Sequence, residues 1–319
     1  MKKIPLVMDV DTGTDDAIAI ICALMSTEVL DIKAFTAVAG NVGVDLTSSN
    51  TLNIVDYLGF DIPVAIGAAK PLNKDLHTAI SHGATGLGDV IVPKSNRAFY
   101  ERDAADTIYE HAVALQGELE IVAVGPLTNI AEAIIRYPDI IRLIKRITIM
   151  GGALRGGNMT PASEFNLYVD PDAGKIVFES GIPLVMVGLD VTLKPQLPLA
   201  VVETVKRLDN KFANLAARIF DFMLRRCKQF GFDPPNVHDA IALASLIVPR
   251  LVTLNKYVMT VETEGTVTRG MTVADFNNVT GKEPNVSVAV DVDCNLFWDW
   301  MTGKFLSAER DMIETERKG

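Results

Sequence analysis

The run Asp9-Val10-Asp11-Thr12-Gly13-Thr14-Asp15-Asp16 puts four carboxylates within eight residues. One aspartate at a helix start is ordinary, because free N–H groups and the helix dipole favour negative charge there. Capping does not account for four, and crowding them raises their pKa values unless a cation offsets the repulsion. A hard divalent cation held by oxygen, Ca²⁺ or Mg²⁺, is the natural offset. A solvated acidic turn with a single cap is the other use of the same residues. The chain has 40 Asp+Glu but only 4 His and 3 Cys, so a metal site here is expected to be built from oxygen. Asp9 and Asp11 face one side if the preceding strand continues through them, and Gly13 permits a tight turn.

Further polar residues lie along the chain. Glu164 and Asn166 are two apart, so an extended backbone would aim both to one side and leave Phe165 to the core. The Gly-rich stretch Gly151–Gly157 is neither G-x-G-x-x-G nor a P-loop, and a plain turn is its alternative use. His238 follows Pro234-Pro235 and, with Asp239, opens an apolar helical pattern. A helix N-terminus or a nearby cation disfavours the imidazolium, whereas a neighbouring carboxylate favours it. His238 therefore reads either as an acid or as a positioning group. His82 sits among Gly83, Gly86 and Gly88, either as a surface histidine or on a loop that closes over a site and brings it to substrate. His77 and His111 are expected at the surface, and no motif includes Asp190 or Asp275.

These residues need elements to position them. Strand-like runs cover Ile4–Asp9, Ile32–Ala39, Pro63–Ile66, Leu119–Val124, Arg146–Met150 and Pro183–Gly188. Helical patterns cover Asp15–Met25, Leu46–Leu58, Ala104–Gln116, Leu127–Tyr137 and Asp172–Ser180, and Gly67–Val92 reads as a long loop. Such alternation implies right-handed βαβ units and an α/β fold with a Rossmann-like core, its mainly parallel central sheet covered by helices on both faces. Beyond Val191 the chain reads as helix over Val201–Phe230 and His238–Ile247, strands over Tyr257–Thr263, Val267–Ala274 and Val286–Asp293, and a final helix over Leu296–Glu316, where Trp298 and Trp300 are expected to pack or to meet another subunit. No Ser/Gly/Pro-rich linker or repeat divides it, so residues 1–319 read as a single domain. Ligands of parallel sheets sit at the carboxyl ends of the strands. The loops after Met8, Ala39, Val124 and Met150 are thus expected to meet in one crevice.

Composition narrows the function. A formal net charge of −10 argues against nucleic acid or an anionic membrane as partner. The longest apolar run, Ala17–Met25, is far below a membrane span. The N-terminal apolar run is too short for a signal-peptide core, and Cys22, Cys227 and Cys294 form no C-x-x-C. A cytoplasmic protein with reduced thiols is the expectation.

Two motifs open in a similar way. An EF-hand beginning at Asp9 would need Gly at Thr14 and Glu at Ile20. Phosphatases of the haloacid dehalogenase type also begin strand-D-x-D and would use Asp9 as nucleophile, but they continue G-T where this chain has Thr12-Gly13. The fuller pattern D-x-D-x-G-x-D-D-A resembles the inosine–uridine-preferring nucleoside hydrolases. So do Val38-Ala39-Gly40-Asn41, Gly125-Pro126-Leu127-Thr128-Asn129, Met150-Gly151-Gly152, Gly157-Asn158, Glu164-Phe165-Asn166 through Asp170-Pro171, Val237-His238-Asp239 and Gly270-Met271-Thr272. The resemblance runs in order through nearly the whole chain.

It implies the nucleoside hydrolase fold and a Ca²⁺-dependent N-ribosyl hydrolase that splits a ribonucleoside into base and ribose. By the same resemblance Asp11, Asp16, Asp239 and the main-chain carbonyl of Val124 are calcium ligands, and Asp11 is also general base toward the metal-bound water. Asp15, Asn41, Asn158, Glu164 and Asn166 hold the ribose hydroxyls, with Asp239 near the 3′-hydroxyl. Met150 lines the sugar pocket, and His238 is similar to a leaving-group acid. The chemistry is coherent, because cleavage builds positive charge on C1′ and O4′ that surrounding oxygens stabilise. Asp9, Asp11, Asp15, Asp16 and Asp239 are then expected to gather around one cation. A non-catalytic nucleoside or ribose binder is the other reading of the same residues. The segments expected to face the base, near His82 and over Phe220–Phe232, carry no fixed pattern for purine or pyrimidine; Phe230 and Phe232 can stack or pack. A homo-oligomer, dimer or tetramer, is implied by the family.

Overall fold

The computed structural model describes residues 2–231 and 234–316, with side chains as far as 310. Its strands are β1 (Ile4–Val10), β2 (Leu30–Ala37), β3 (Val64–Ile66), β4 (Leu119–Ala123), β5 (Ile144–Met150), β6 (Leu184–Val187), β7 (Val252–Tyr257), β8 (Met259–Val261), β9 (Thr272–Ala274) and β10 (Val286–Val292). Its helices are α1 (Thr14–Leu24), α2 (Val44–Tyr57), α3 (Ala104–Leu115), α4 (Thr128–Arg136), α5 (Phe165–Val169), α6 (Pro171–Glu179), α7 (Leu189–Thr192), α8 (Leu199–Lys206), α9 (Lys211–Gln229), α10 (His238–Ile247) and α11 (Cys294–Glu316).

Eight strands form one sheet in the order β3-β2-β1-β4-β5-β6-β10-β7, parallel except where β7 runs antiparallel to β10. Strand β1 is buried on both faces, as its near-continuous apolar run requires. Leu6, Met8 and Val10 pack with α1, α2 and α8 to α11, whereas Val7 packs with α3, α4 and α6. The strand order reverses between β1 and β4, so a crevice opens there at the carboxyl ends. Helix α1 is apolar almost all round after its first turn, and all eleven of its residues are buried.

The expected α/β layout is present, with its helices on both faces. It departs from expectation where local signals are weak. Strand β7 was not expected, because it is an edge strand whose central four side chains are exposed and show no alternation. The run Tyr257–Thr263 straddles the end of β7 and all of β8, and Val267–Ala274 is strand only over β9. The helical stretch Val201–Phe230 breaks into α8 and α9 where Asn210 caps α9 by accepting from the Ala213 amide. No helix or strand interrupts residues 67–103, so the loop is longer than expected. The cysteines form no disulfide, and burial pushes the Cys22 thiol up to about 12. Among the described residues no helix is long and apolar enough to cross a membrane.

Candidate active site

The turn from β1 into α1 is folded around Asp16. Its carboxylate, third in the helix, reaches back to accept from the amides of Asp11 (3.0 Å) and Gly13 (2.9 Å), as in a capping box. The loop after β2 closes on the same turn, where the Asn41 amide donates to Asp11 Oδ2 (2.7 Å) and Asn41 Nδ2 donates to Asp16 Oδ2 (3.0 Å). A side chain at Gly40 would collide with the Asp11 carboxylate and with Pro126, so glycine is what lets the two loops touch. Thr51 and Asn50 of α2 brace Thr12 from behind.

Helix α10 brings its first turn to the same place. Asp15, Asp16 and Asp239 are all buried, and each offers an oxygen within 4.8 Å of the others. Among the described residues no lysine or arginine forms an ion pair with them. Burial raises Asp11 and Asp239 well above the carboxylate range, with neighbouring carboxylates adding to it. Burial also raises Asp15, against the opposing effect of His238, and lifts Asp16 to about 6, with Asp15 adding to the rise. Two helix N-termini offset this crowding only in part. A buried, all-oxygen donor set with no lysine or arginine paired to it among the described residues fits a hard divalent metal ion. Asp11 stands beside the triad, joined to it through Asp16.

Asp9 departs from expectation. Its Oδ1 accepts from Thr36 Oγ1 (2.5 Å) and Asn129 Nδ2 (2.7 Å), and its other oxygen has no hydrogen-bond partner. Burial raises it to about 7. It is fully buried, bonded to Thr36 of β2 and Asn129 of α4, and lies outside the group of Asp15, Asp16 and Asp239.

The far side of the crevice follows β5. Glu164 and Asn166 reach it from a helix start, not from an extended chain: Glu164 caps α5, accepting from Asn166 and Leu167, and also takes the Gly152 amide. Burial lifts the Glu164 carboxyl to about 7, against these bonds. Asn166 Nδ2 donates to the carbonyls of Val124 (2.8 Å) and Met150 (3.1 Å), which ties together the ends of β4 and β5. Met150 is buried beside it. Phe165 is only half-buried, and Asn158 is exposed with its side-chain Oδ1 accepting from the Phe165 amide. The four loops expected to meet do so: Gly125, after β4, lies against Asp11, and Asn166 bridges to β4.

Two histidines flank Asp15. The Thr14 amide donates to His82 Nδ1 (3.0 Å), which puts the ring proton on Nε2, and burial lowers the pKa to about 4. His238, first residue of α10, lies 2.8 Å through Nδ1 from Thr192 Oγ1; burial lowers its pKa while Asp15 opposes the fall. Sequence reasoning passed over Thr14 and Thr192, because hydroxyls that orient a ring have no spacing signal. The long loop is seated through the carbonyl of Ile80, held by Arg226, and through Asn50 on Thr85. His77 and His111 are both partly exposed, His77 lying edge-on against Tyr168. Asp190 accepts from the Leu154 amide, and Asp275 closes a local turn with Val279 and Thr280. Phe230 is exposed beneath Arg226, and Phe232 lies outside the described residues.

A family model described as inosine-uridine preferring nucleoside hydrolase matches residues 6–299. The chain is 44% identical over 300 residues to a pyrimidine-specific ribonucleoside hydrolase of Citrobacter koseri, covering 93% of this chain and 96% of that one. It is similar in structure to a purine-preferring ribonucleoside hydrolase from Gardnerella vaginalis, with a TM-score of 0.88, 34% identity and coverage of 94% and 99%. A plant nucleoside hydrolase gives a TM-score of 0.89 at 31% identity over 95% of this chain and 99% of that chain. The chain belongs to the inosine-uridine preferring nucleoside hydrolase family.

Proposed function

We propose that this family member hydrolyses the N-glycosidic bond of ribonucleosides, pyrimidine ribonucleosides foremost, and that it does so with Ca²⁺ held by Asp11, Asp16, Asp239 and the Val124 carbonyl. The observation that carries this reading is the buried group of Asp15, Asp16 and Asp239, with which no lysine or arginine among the described residues pairs, beside Asp11 at the sheet's crevice. Bound there, the ion would supply charge that eases deprotonation of water and orients two ribose hydroxyls. Calcium suits the site over a transition metal because every donor is oxygen.

The chain's own groups divide the remaining work. Asp11, fixed by the Asn41 amide, takes the proton of the attacking water as the bond from C1′ to the base breaks. Asp15, Asn41, Asn158, Glu164 and Asn166 bind ribose hydroxyls, and Met150 lines the sugar. The carboxylates face the positive charge that develops on the ring. His82 and His238 stand on the leaving-group side, where His238 protonates the departing base and Asp15 supports its charged form. All of this belongs to one catalytic domain spanning the chain. The preference for pyrimidines is supported by the 44% identity to an enzyme named pyrimidine-specific.

Release of reducing sugar from uridine, cytidine, inosine, adenosine and their 2′-deoxy forms tests this. The expected order places uridine and cytidine first, with every deoxynucleoside poor. Comparable turnover of inosine and deoxyinosine would contradict the role given to the ribose hydroxyls. Intact nucleoside after long incubation with stoichiometric protein would identify a binder. Loss of activity in His238→Ala is expected, and normal turnover would remove that residue from catalysis.

A further inference from the structure

The Gly-rich turn that follows β5 is clamped from three sides, and one of its amides holds Glu164. Thr272, the first residue of β9, uses its buried hydroxyl twice on one residue: it donates to the Ala153 carbonyl and accepts from the Ala153 amide (3.0 Å). Asp190 on α7 accepts from the next amide, Leu154, at 2.6 Å. The Leu189 amide donates to the Gly152 carbonyl at 3.0 Å. Gly152 has φ +71°, and a Cβ on it would lie 2.7 Å from Thr272 Cγ2, so this turn and β9 fit only with glycine there. The donor left over, the Gly152 amide, points to Glu164 Oε2 at 3.0 Å. The segment leading to Glu164 is tied to the same hairpin, because Ser163 Oγ donates to the Arg269 carbonyl.

We infer that Thr272 is a positioning residue for Glu164: by holding Ala153 through both its N–H and its C=O it fixes the Gly152–Ala153 peptide, with Asp190 holding the next amide, and so steadies the adjoining Gly151–Gly152 peptide whose N–H sets the Glu164 carboxylate in the crevice. This gives Thr272 and Asp190 a role that neither the metal group nor the histidines assign. Two hydrogen bonds to a single backbone residue fix both translation and tilt, which one bond does not. The inference rests on the reading of Glu164 as a ribose ligand, and the test separates the two.

Steady-state kinetics on uridine, together with the thermal shift on adding Ca²⁺, would be measured for Thr272→Val, Thr272→Ser, Asp190→Ala, Glu164→Gln and the double variant Thr272→Val/Glu164→Gln. Thr272→Val should raise KM about tenfold, the scale of one lost hydrogen bond to a charged group. It should leave kcat within about twofold and the Ca²⁺ shift unchanged, since the metal group is held by other elements. Thr272→Ser should restore KM, and Asp190→Ala should raise it. In the Glu164→Gln background Thr272→Val should add nothing. A raised KM in Glu164→Gln with an unchanged one in Thr272→Val overturns the inference, as does a Thr272→Val effect that simply multiplies that of Glu164→Gln. An unchanged KM in Glu164→Gln overturns the reading of Glu164, and the inference with it. If Thr272→Val does not fold, Asp190→Ala alone and combined with Glu164→Gln decides by the same criteria.

Discussion

Asp9 and Asp11 are two residues apart, yet one is sealed between strands and helix while the other borders the acidic group. Alternation along a strand predicts the same face for both, but β1 ends at Val10 and the turn aims Asp11 independently. The types and spacing of the acidic residues were therefore readable from the chain, whereas the burial of Asp9 was not. That burial depends on Asn129, 120 positions away. Asp9→Asn is accordingly expected to keep the rise in melting temperature that Ca²⁺ produces, and Asp16→Asn to lose most of it. Equal loss in both, read by thermal denaturation with and without the ion, would return Asp9 to the metal group.

At the scale of elements, the site is made by two helix starts facing each other. Helices α1 and α10 deliver Asp15, Asp16 and Asp239, and the loops after β2, β4 and β5 close around them. These elements were legible because apolar periodicity and Gly-rich strand ends mark them. The edge strand β7 and the short helices α5 and α7 have neither signal. The start of α1 is also where His82 is seated, and Gly13 makes room for it. A Cβ there would lie 2.7 Å from both Asn41 Nδ2 and His82 Nδ1. Gly13→Ala is expected to destabilise the fold by about 1–3 kcal/mol and to lower kcat/KM at least about tenfold, as a displaced polar contact does. Denaturant unfolding and uridine kinetics check the two effects, and wild-type values in both would show that His82 is not seated through this turn.

For the molecule as a whole, the buried carboxylates link stability to pH and to metal. Without metal, Asp16 lies at about 6 and Asp9 at about 7 against an ordinary 3.8, and Glu164 at about 7 against 4.5. Between those limits the folded chain binds more protons than the unfolded one, so unfolding free energy falls as pH rises. The contribution of these groups is full below about pH 4 and lost as pH rises through about 6 to 7. The net charge of −10 acts in the same direction. The metal-free protein should have a lower denaturation midpoint at pH 8 than at pH 5, and Ca²⁺ should recover more stability at the higher pH, where its ligands are ionised. A midpoint that climbs over this range in chelated protein would contradict the assignment.

The central claim is that the acidic crevice, with Asp11 as base and a divalent ion beside it, cleaves a ribonucleoside at its N-glycosidic bond. Uridine turnover followed by separate quantification of uracil and ribose tests it most directly, on Ca²⁺-loaded protein, chelated protein and Asp11→Asn. The expected result is equal release of both products by the loaded protein, loss on chelation with recovery on adding Ca²⁺, and a kcat for Asp11→Asn lower by about 10²–10⁴. Intact uridine with the loaded protein, or an Asp11→Asn rate equal to that of the wild type, would contradict it.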